Sequence, residues 1–261
     1  GKVIGVALDG TGYGADGKIW GGEFLVADMA DYERAAHLEY LPLPGGEAAV
    51  KKPYRTVIGY LYRLFGEDGL TKAAGCLRGV EGSEIDIIKQ QIHRGLNTPE
   101  TFSAGRLFDA VAAIIGVRSE IQYDAQAAIE LEMAAEDVET KDSYPFDIVV
   151  NGSVRVVRLR RLFEGIVDDM ANGVGTAEIA ARFHNTVVDI ISDVCQSLRN
   201  DRGLDTVALS GGCFMNRRLL RQAVERLSSD GFKVYAHREI PTNDGGISLG
   251  QVVVAKVLIS K

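Results

Sequence analysis

Three glycine-rich turns, spread across a chain of 261 residues, constrain this fold more than any other feature. The first is Leu8-Asp9-Gly10-Thr11-Gly12-Tyr13-Gly14. The second is Leu209-Ser210-Gly211-Gly212-Cys213-Phe214-Met215-Asn216, and the third Pro241-Thr242-Asn243-Asp244-Gly245-Gly246. Each follows or adjoins a short apolar run, and the last two precede a helical pattern. Glycine lets backbone N–H groups approach a ligand closely, and a helix N-terminus favours an anion. Three such turns predict a nucleotide or acyl-phosphate site assembled from distant segments.

The periodicity between the turns sets the class. Val3 to Leu8 reads as a buried strand, with Lys18 to Ala27 as its return strand around an Ala15-Asp16-Gly17 hairpin turn. Ala36 to Leu43 is a further strand, ended by Pro44-Gly45-Gly46. Tyr54–Phe65, Glu84–Arg94, Ser103–Ile115 and Tyr123–Glu136 have helical spacing, so residues 50–138 form a mainly helical insertion. Phe146–Val150 and Ser153–Val157 make a strand pair around Asn151-Gly152. Helices then alternate with short strands: Arg160–Ala171, Thr176–Arg199 with Thr176 as its N-cap, Thr206–Leu209, Asn216–Ser228, Lys233–Ala236 and Asn243–Ile259. The expectation is an α/β domain built from residues 1–49 and 139–261, interrupted by the insertion.

Composition excludes several classes of function. The net charge of −7 argues against a nucleic-acid surface, which needs clustered Lys and Arg. The local clusters Arg155, Arg158, Arg160, Arg161 and Arg217, Arg218, Arg221 read as solvated helix faces. No apolar stretch reaches the ~20 residues that span a bilayer. Cys76, Cys195 and Cys213 form no C-x-x-C pair, so neither a zinc site nor a disulfide framework is indicated, and a cytoplasmic setting is expected. None of His37, His93, His184 and His237 stands in a metal-ligand spacing. The chain opens on Gly1 with a strand at once and is expected to be part of a longer polypeptide.

Each candidate residue has a structural and a chemical reading. Asp9, at a strand end, suits a cation or a water, with the following amides and the Thr11 hydroxyl facing phosphate, or it caps a hairpin turn. Ser210-Gly211-Gly212 fits a backbone turned against a ring or phosphate, or a tight strand–helix connection. Asp244 opens a helix, where the dipole favours it without any ligand. Gly105 inside a helix costs ~1 kcal/mol against Ala. It admits either a nucleobase or a close helix crossing, with Asp109 placed to accept from ribose hydroxyls.

In combination the motifs resemble the carbamoyltransferase module of the HypF hydrogenase-maturation family. The matching blocks are Val6 to Gly14, Trp20-Gly21-Gly22-Glu23-Phe24, Lys52-Pro53-Tyr54-Arg55, Ser103 to Ala112, Ser210 to Asn216 and Asn243 to Gln251. Threonylcarbamoyltransferases acting on tRNA and NodU-like O-carbamoyltransferases resemble it more distantly. The resemblance implies an actin/Hsp70-like ATPase (ASKHA) fold, in which RNase H-like domains flank a nucleotide cleft. This chain would be the second half of that two-domain module, its last helix crossing back to the first.

What the family does is then an expectation. A carbamoyl group passes from carbamoyl-AMP, made from ATP by an upstream YrdC-like module, to the C-terminal cysteine thiol of HypE. Asp9 and Asp244 would be the catalytic metal ligands, for iron or zinc. Gly10, Thr11, Gly12, Ser210, Gly211 and Gly212 would cradle the adenylate, with Gly105 and Asp109 at the adenosine and Asn216 at the nucleotide. The family's histidine-rich segment is absent from this chain, so the chain alone is expected to be inactive and to hold metal weakly or not at all. The alternatives are a NodU-type O-carbamoyltransferase, a sugar or acetate kinase of the same superfamily, and a non-catalytic docking module for HypE.

Overall fold

The computed structural model describes residues 1–260; Lys261, the end of the expected second segment, lies outside them. The central strand β1 (Val3–Tyr13) buries Ile4, Val6 and Leu8 on one face, as its period-2 alternation dictates. It pairs antiparallel with β2 (Ile19–Ala27), which pairs antiparallel with β3 (Tyr32–Leu38). On its other side β1 runs parallel to β8 (Thr206–Ser210), itself parallel to β9 (Lys233–Ala236). The order β3-β2-β1-β8-β9 is the RNase H-like arrangement. A hairpin of β6 (Asp147–Asn151) and β7 (Val154–Arg158) extends the sheet beyond β3. The carboxyl ends of β1, β8 and β9 therefore share one edge of the sheet.

Between β3 and β6 lie two short strands, β4 (Leu41–Pro42) and β5 (Glu100–Thr101), and six helices. These are α1 (Glu47–Lys51), α2 (Pro53–Phe65), α3 (Glu67–Lys72), α4 (Gly82–Arg94), α5 (Ala104–Ile114) and α6 (Gln126–Ala135). β5 pairs with both β2 and β4, so this block is tied into the sheet. The helix α5 is buried along its whole length, because it is apolar nearly all round. Its Leu107 and Phe108 line a small internal cavity with Leu8, Phe24 and Leu38 of the sheet and with Ile190 and Ile191. Those isoleucines belong to α8 (Thr176–Arg202), which follows α7 (Arg160–Ala171). The last helices are α9 (Arg217–Ser229) and α10 (Ile247–Ile259).

Several local expectations are corrected. The strand expected at 36–43 is two elements, since the chain leaves β3 after Leu38 and resumes as β4. Thr176 is the first residue of α8 rather than its cap; Gly175 holds the cap position without a side-chain bond. The Arg155 guanidinium is not a solvated helix face: it lies on β7, only 8% exposed, bonded to Ser197 Oγ at 2.8 Å and paired with Asp201. The first glycine turn does not end a strand. β1 continues to Tyr13, and its register jumps from Leu8 opposite Gly22 to Gly12 opposite Trp20. Asp9, Gly10 and Thr11 thus bulge out of the strand against Gly21 alone.

Candidate functional site at the strand ends

Glycine is required where this bulge is held. Gly21 has φ +138°, and a Cβ there would lie 2.5 Å from the Asp9 carbonyl oxygen. Ser103, the N-cap of α5, donates its hydroxyl to the carbonyls of Asp9 and Gly10, each at 2.7 Å, and accepts from Arg106 N at 3.2 Å. Gly105 faces Gly10, where an added Cβ would meet the Gly10 Cα at 2.6 Å. The N-terminal turn of α5 is therefore pressed onto the bulge from within. Gly105 serves this backbone approach, so the open face for a nucleobase expected from the sequence is filled by the chain's own turn.

The second and third turns meet the first. Gly211 has φ +101°, and a Cβ there would stand 2.2 Å from the Leu8 carbonyl oxygen. Its N–H donates to the Thr242 carbonyl at 3.0 Å, and the Thr242 hydroxyl donates back to the Gly211 carbonyl at 3.1 Å. Gly212 lies between the other two turns: its Cβ position is 3.1 Å from Asp9 Oδ1 and 3.8 Å from Asn243 Cβ. Asp244 follows in a short exposed 3-10 turn, Asp244–Gly246, that leads into α10. So Asp9, Gly10, Thr11, Gly12, Ser210, Gly211, Gly212 and Asp244 are gathered at one edge of the sheet. In open α/β sheets, ligands bind at the carboxyl ends of parallel strands.

Burial shapes the charges beneath this edge. Asp9 Oδ1 accepts from Gly10 N at 2.7 Å. Glu23, on β2, accepts from Gly21 N and Gly22 N at 2.8 Å each. Its carboxyl is nonetheless pushed up to about 7 by burial, with the Asp9 charge adding to the rise. Burial likewise raises the Cys213 thiol, and the Asp9 charge adds to the rise. Asp109 is only 1% exposed, and burial raises it to about 6 against the pull of Arg106. Its carboxylate lies inside the core, 2.7 Å from the Arg106 guanidinium.

Asn216 is also placed differently from expectation. Its Oδ1 caps α9 by accepting from Leu219 N at 2.8 Å, and its Nδ2 donates to His184 Nε2 at 2.9 Å. Both ends of the amide are engaged within the protein. A residue that the sequence reading passed over stands at the rim: His237 Nε2 lies 3.1 Å from Ser210 Oγ. Four isolated histidines gave no signal; only the adjacent ends of β8 and β9 bring this one to the site.

The donors for a metal are few. Among the described residues, no three His, Cys, Asp or Glu side chains form a group that could hold one. Asp9 and Asp244 are hard oxygen donors, and two carboxylates alone do not fit iron or zinc. No helix among the described residues is long and apolar enough to cross a membrane.

A mixed sheet of RNase H-like order, with three glycine turns closing on its parallel strand ends, defines an α/β domain of the actin/Hsp70-like ATPase class. Residues 5–251 match the family described as Carbamoyltransferase, Kae1-like Domain, second subdomain. The carbamoyltransferase HypF of Synechocystis sp. is 35% identical over 97% of the chain. A full-length HypF solved in a phosphate- and nucleotide-bound form superposes with a TM-score of 0.94 at 44% identity, over 100% of the chain. HypF of T. kodakarensis gives 0.87 at 30% identity over 99%. The chain belongs to the HypF carbamoyltransferase family, as the second subdomain of the Kae1-like domain. It spans 34% of the Synechocystis protein and 40% and 34% of the two solved chains.

Proposed function

We propose that the three converging turns bind carbamoyl-AMP and serve carbamoyl transfer to the C-terminal cysteine thiol of HypE in hydrogenase maturation. The observation that carries this is the contact of Gly211 and Gly212 with Leu8 and Asp9, with Thr242 bonded to Gly211, which brings the three turns to one place. The Gly10 and Gly211 N–H groups are engaged within the protein, and the side-chain-free backbone of the turns leaves room for the phosphate of an adenylate to approach. The phosphate and nucleotide held by a 44% identical HypF support the reading. In the reaction the thiolate sulfur forms a bond to the carbamoyl carbon, and the carbon–oxygen bond to the phosphate breaks. AMP leaves with the electron pair, and the thiol proton passes to solvent.

The proposal extends to the whole polypeptide. A YrdC-like module and a first transferase subdomain lie in the same longer chain, in the cytoplasm. Asp9 and Asp244 are two ligands of a divalent metal, iron or zinc, whose other ligands come from outside this chain. Docking of the preceding transferase subdomain, rather than of HypE, is favoured by one observation: α10 leaves Val252 63% and Leu258 55% exposed.

The test uses the full-length protein with labelled carbamoyl phosphate, ATP and HypE. Label on the HypE C-terminal cysteine is expected, with a loss of at least about a hundredfold in Asp9→Asn. An Asp9→Asn protein that folds and transfers label at the parent rate contradicts the assignment.

A further inference from the structure

We infer that Arg106 is a positioning residue of this site, a buried cation held under the Asp9–Gly12 bulge whose charge acts on a bound phosphate through the turn. The inference rests on the nucleotide reading above. Arg106 and Asp109 are the only charged side chains of α5, and they are 6% and 1% exposed. Arg106 Nη2 lies 2.7 Å from Asp109 Oδ2. The two are close but not aligned for a hydrogen bond. Arg106 Nε and both Asp109 carboxylate oxygens lack a hydrogen-bond partner among the described residues.

Such a pair is a poor device for stability. Buried ion pairs are often replaced by apolar side chains at no loss, and each orphaned polar atom carries a desolvation cost. The position of the guanidinium suggests what it does instead. Its Nη2 is 3.7 Å from the place a Gly10 Cβ would occupy, so it backs the peptide whose neighbours face the ligand. Asp9 and Glu23 also surround this edge, and with Asp109 they make three carboxylates. An anion arriving at the turns would meet repulsion if no cation stood behind them. Buried charge is weakly screened, so its effect extends across the bulge. Asp109 sets how much of that charge reaches the turn.

A structural role and an electrostatic role separate when the ligand's charge is varied. The chain is titrated calorimetrically with ATP, AMP and adenosine, in the parent form and as Arg106→Gln, Arg106→Lys and Asp109→Asn. Arg106→Gln is expected to weaken ATP by about tenfold or more, AMP by less, and adenosine not at all. Arg106→Lys should retain most of the ATP affinity. Asp109→Asn should strengthen ATP, since it removes the negative charge beside the guanidinium. A folding defect cannot produce that sign, so this arm decides even where Arg106→Gln fails to fold. Equal losses for all three ligands would overturn the inference and leave the nucleotide reading standing, and in Asp109→Asn they would restore the ribose contact. A parent chain that binds none of the three, alone or with the preceding transferase subdomain added in trans, overturns the nucleotide reading, and the role of Arg106 with it.

Discussion

At the residue scale, the site is fixed by small side chains and by one buried histidine. His184 is fully buried, with Nδ1 donating to the Ala180 carbonyl at 2.7 Å and Nε2 accepting from Asn216. It is therefore the neutral ring that joins α8 to the cap of α9. Burial holds it down at about 4, against an ordinary 6.5. The unfolded chain thus binds the proton first, so stability is full above about 6.5 and is lost as pH falls towards about 4. The expected loss is on the order of 3 kcal/mol. Urea unfolding at pH 7, 5 and 4 should show this slope, and His184→Gln should flatten it. The same slope in both proteins would place the acid lability elsewhere. The glycines of the three turns were legible in the sequence, because glycine is the residue that tolerates φ +101° at 211 and backbone contact at 105. The roles of Asp109 and Asn216 were not. Nothing in the local pattern says whether a polar side chain on an apolar helix turns to a ligand or to a partner inside the core.

At the element scale, most helices and strands followed from periodicity, and the misses have physical causes. β3 begins at Tyr32, where Glu33 and Arg34 interrupt the apolar alternation. Ala125 at φ +61° starts α6 later than its alanine content suggests. The extension of β1 past Asp9 depends on pairing with β2, which no property of residues 9–13 alone encodes. α10 carries the clearest prediction. Its thirteen residues include none that is buried, although six are Val, Leu or Ile at least 38% exposed. Apolar surface of this extent marks an interaction site. Val252→Asp should change the chain's own stability by less than about 0.5 kcal/mol. It should abolish association with the preceding transferase subdomain added in trans, as read by sedimentation. Undiminished association would show that this helix covers something else.

At the scale of the whole molecule, the sheet order brings residues 9, 211 and 243 to one edge. β1 and β8 are neighbours in the sheet although some 200 residues separate them. That the turns converge was legible from their glycine chemistry, but the pairing of β1 with β8 that brings them together was not, because strand adjacency over such a separation has no local signal. The helical block contributes α5, which supports the bulge from the core side, so the site is built by both parts of the chain. The central claim is that these turns form one phosphate-binding surface. Amide NMR of the chain during ATP addition tests it most directly. The account predicts saturable shifts at Gly10, Thr11, Gly12, Gly211 and Gly212 that follow a single binding curve. Shifts confined to other segments, or separate curves for the first and second turns, would contradict it.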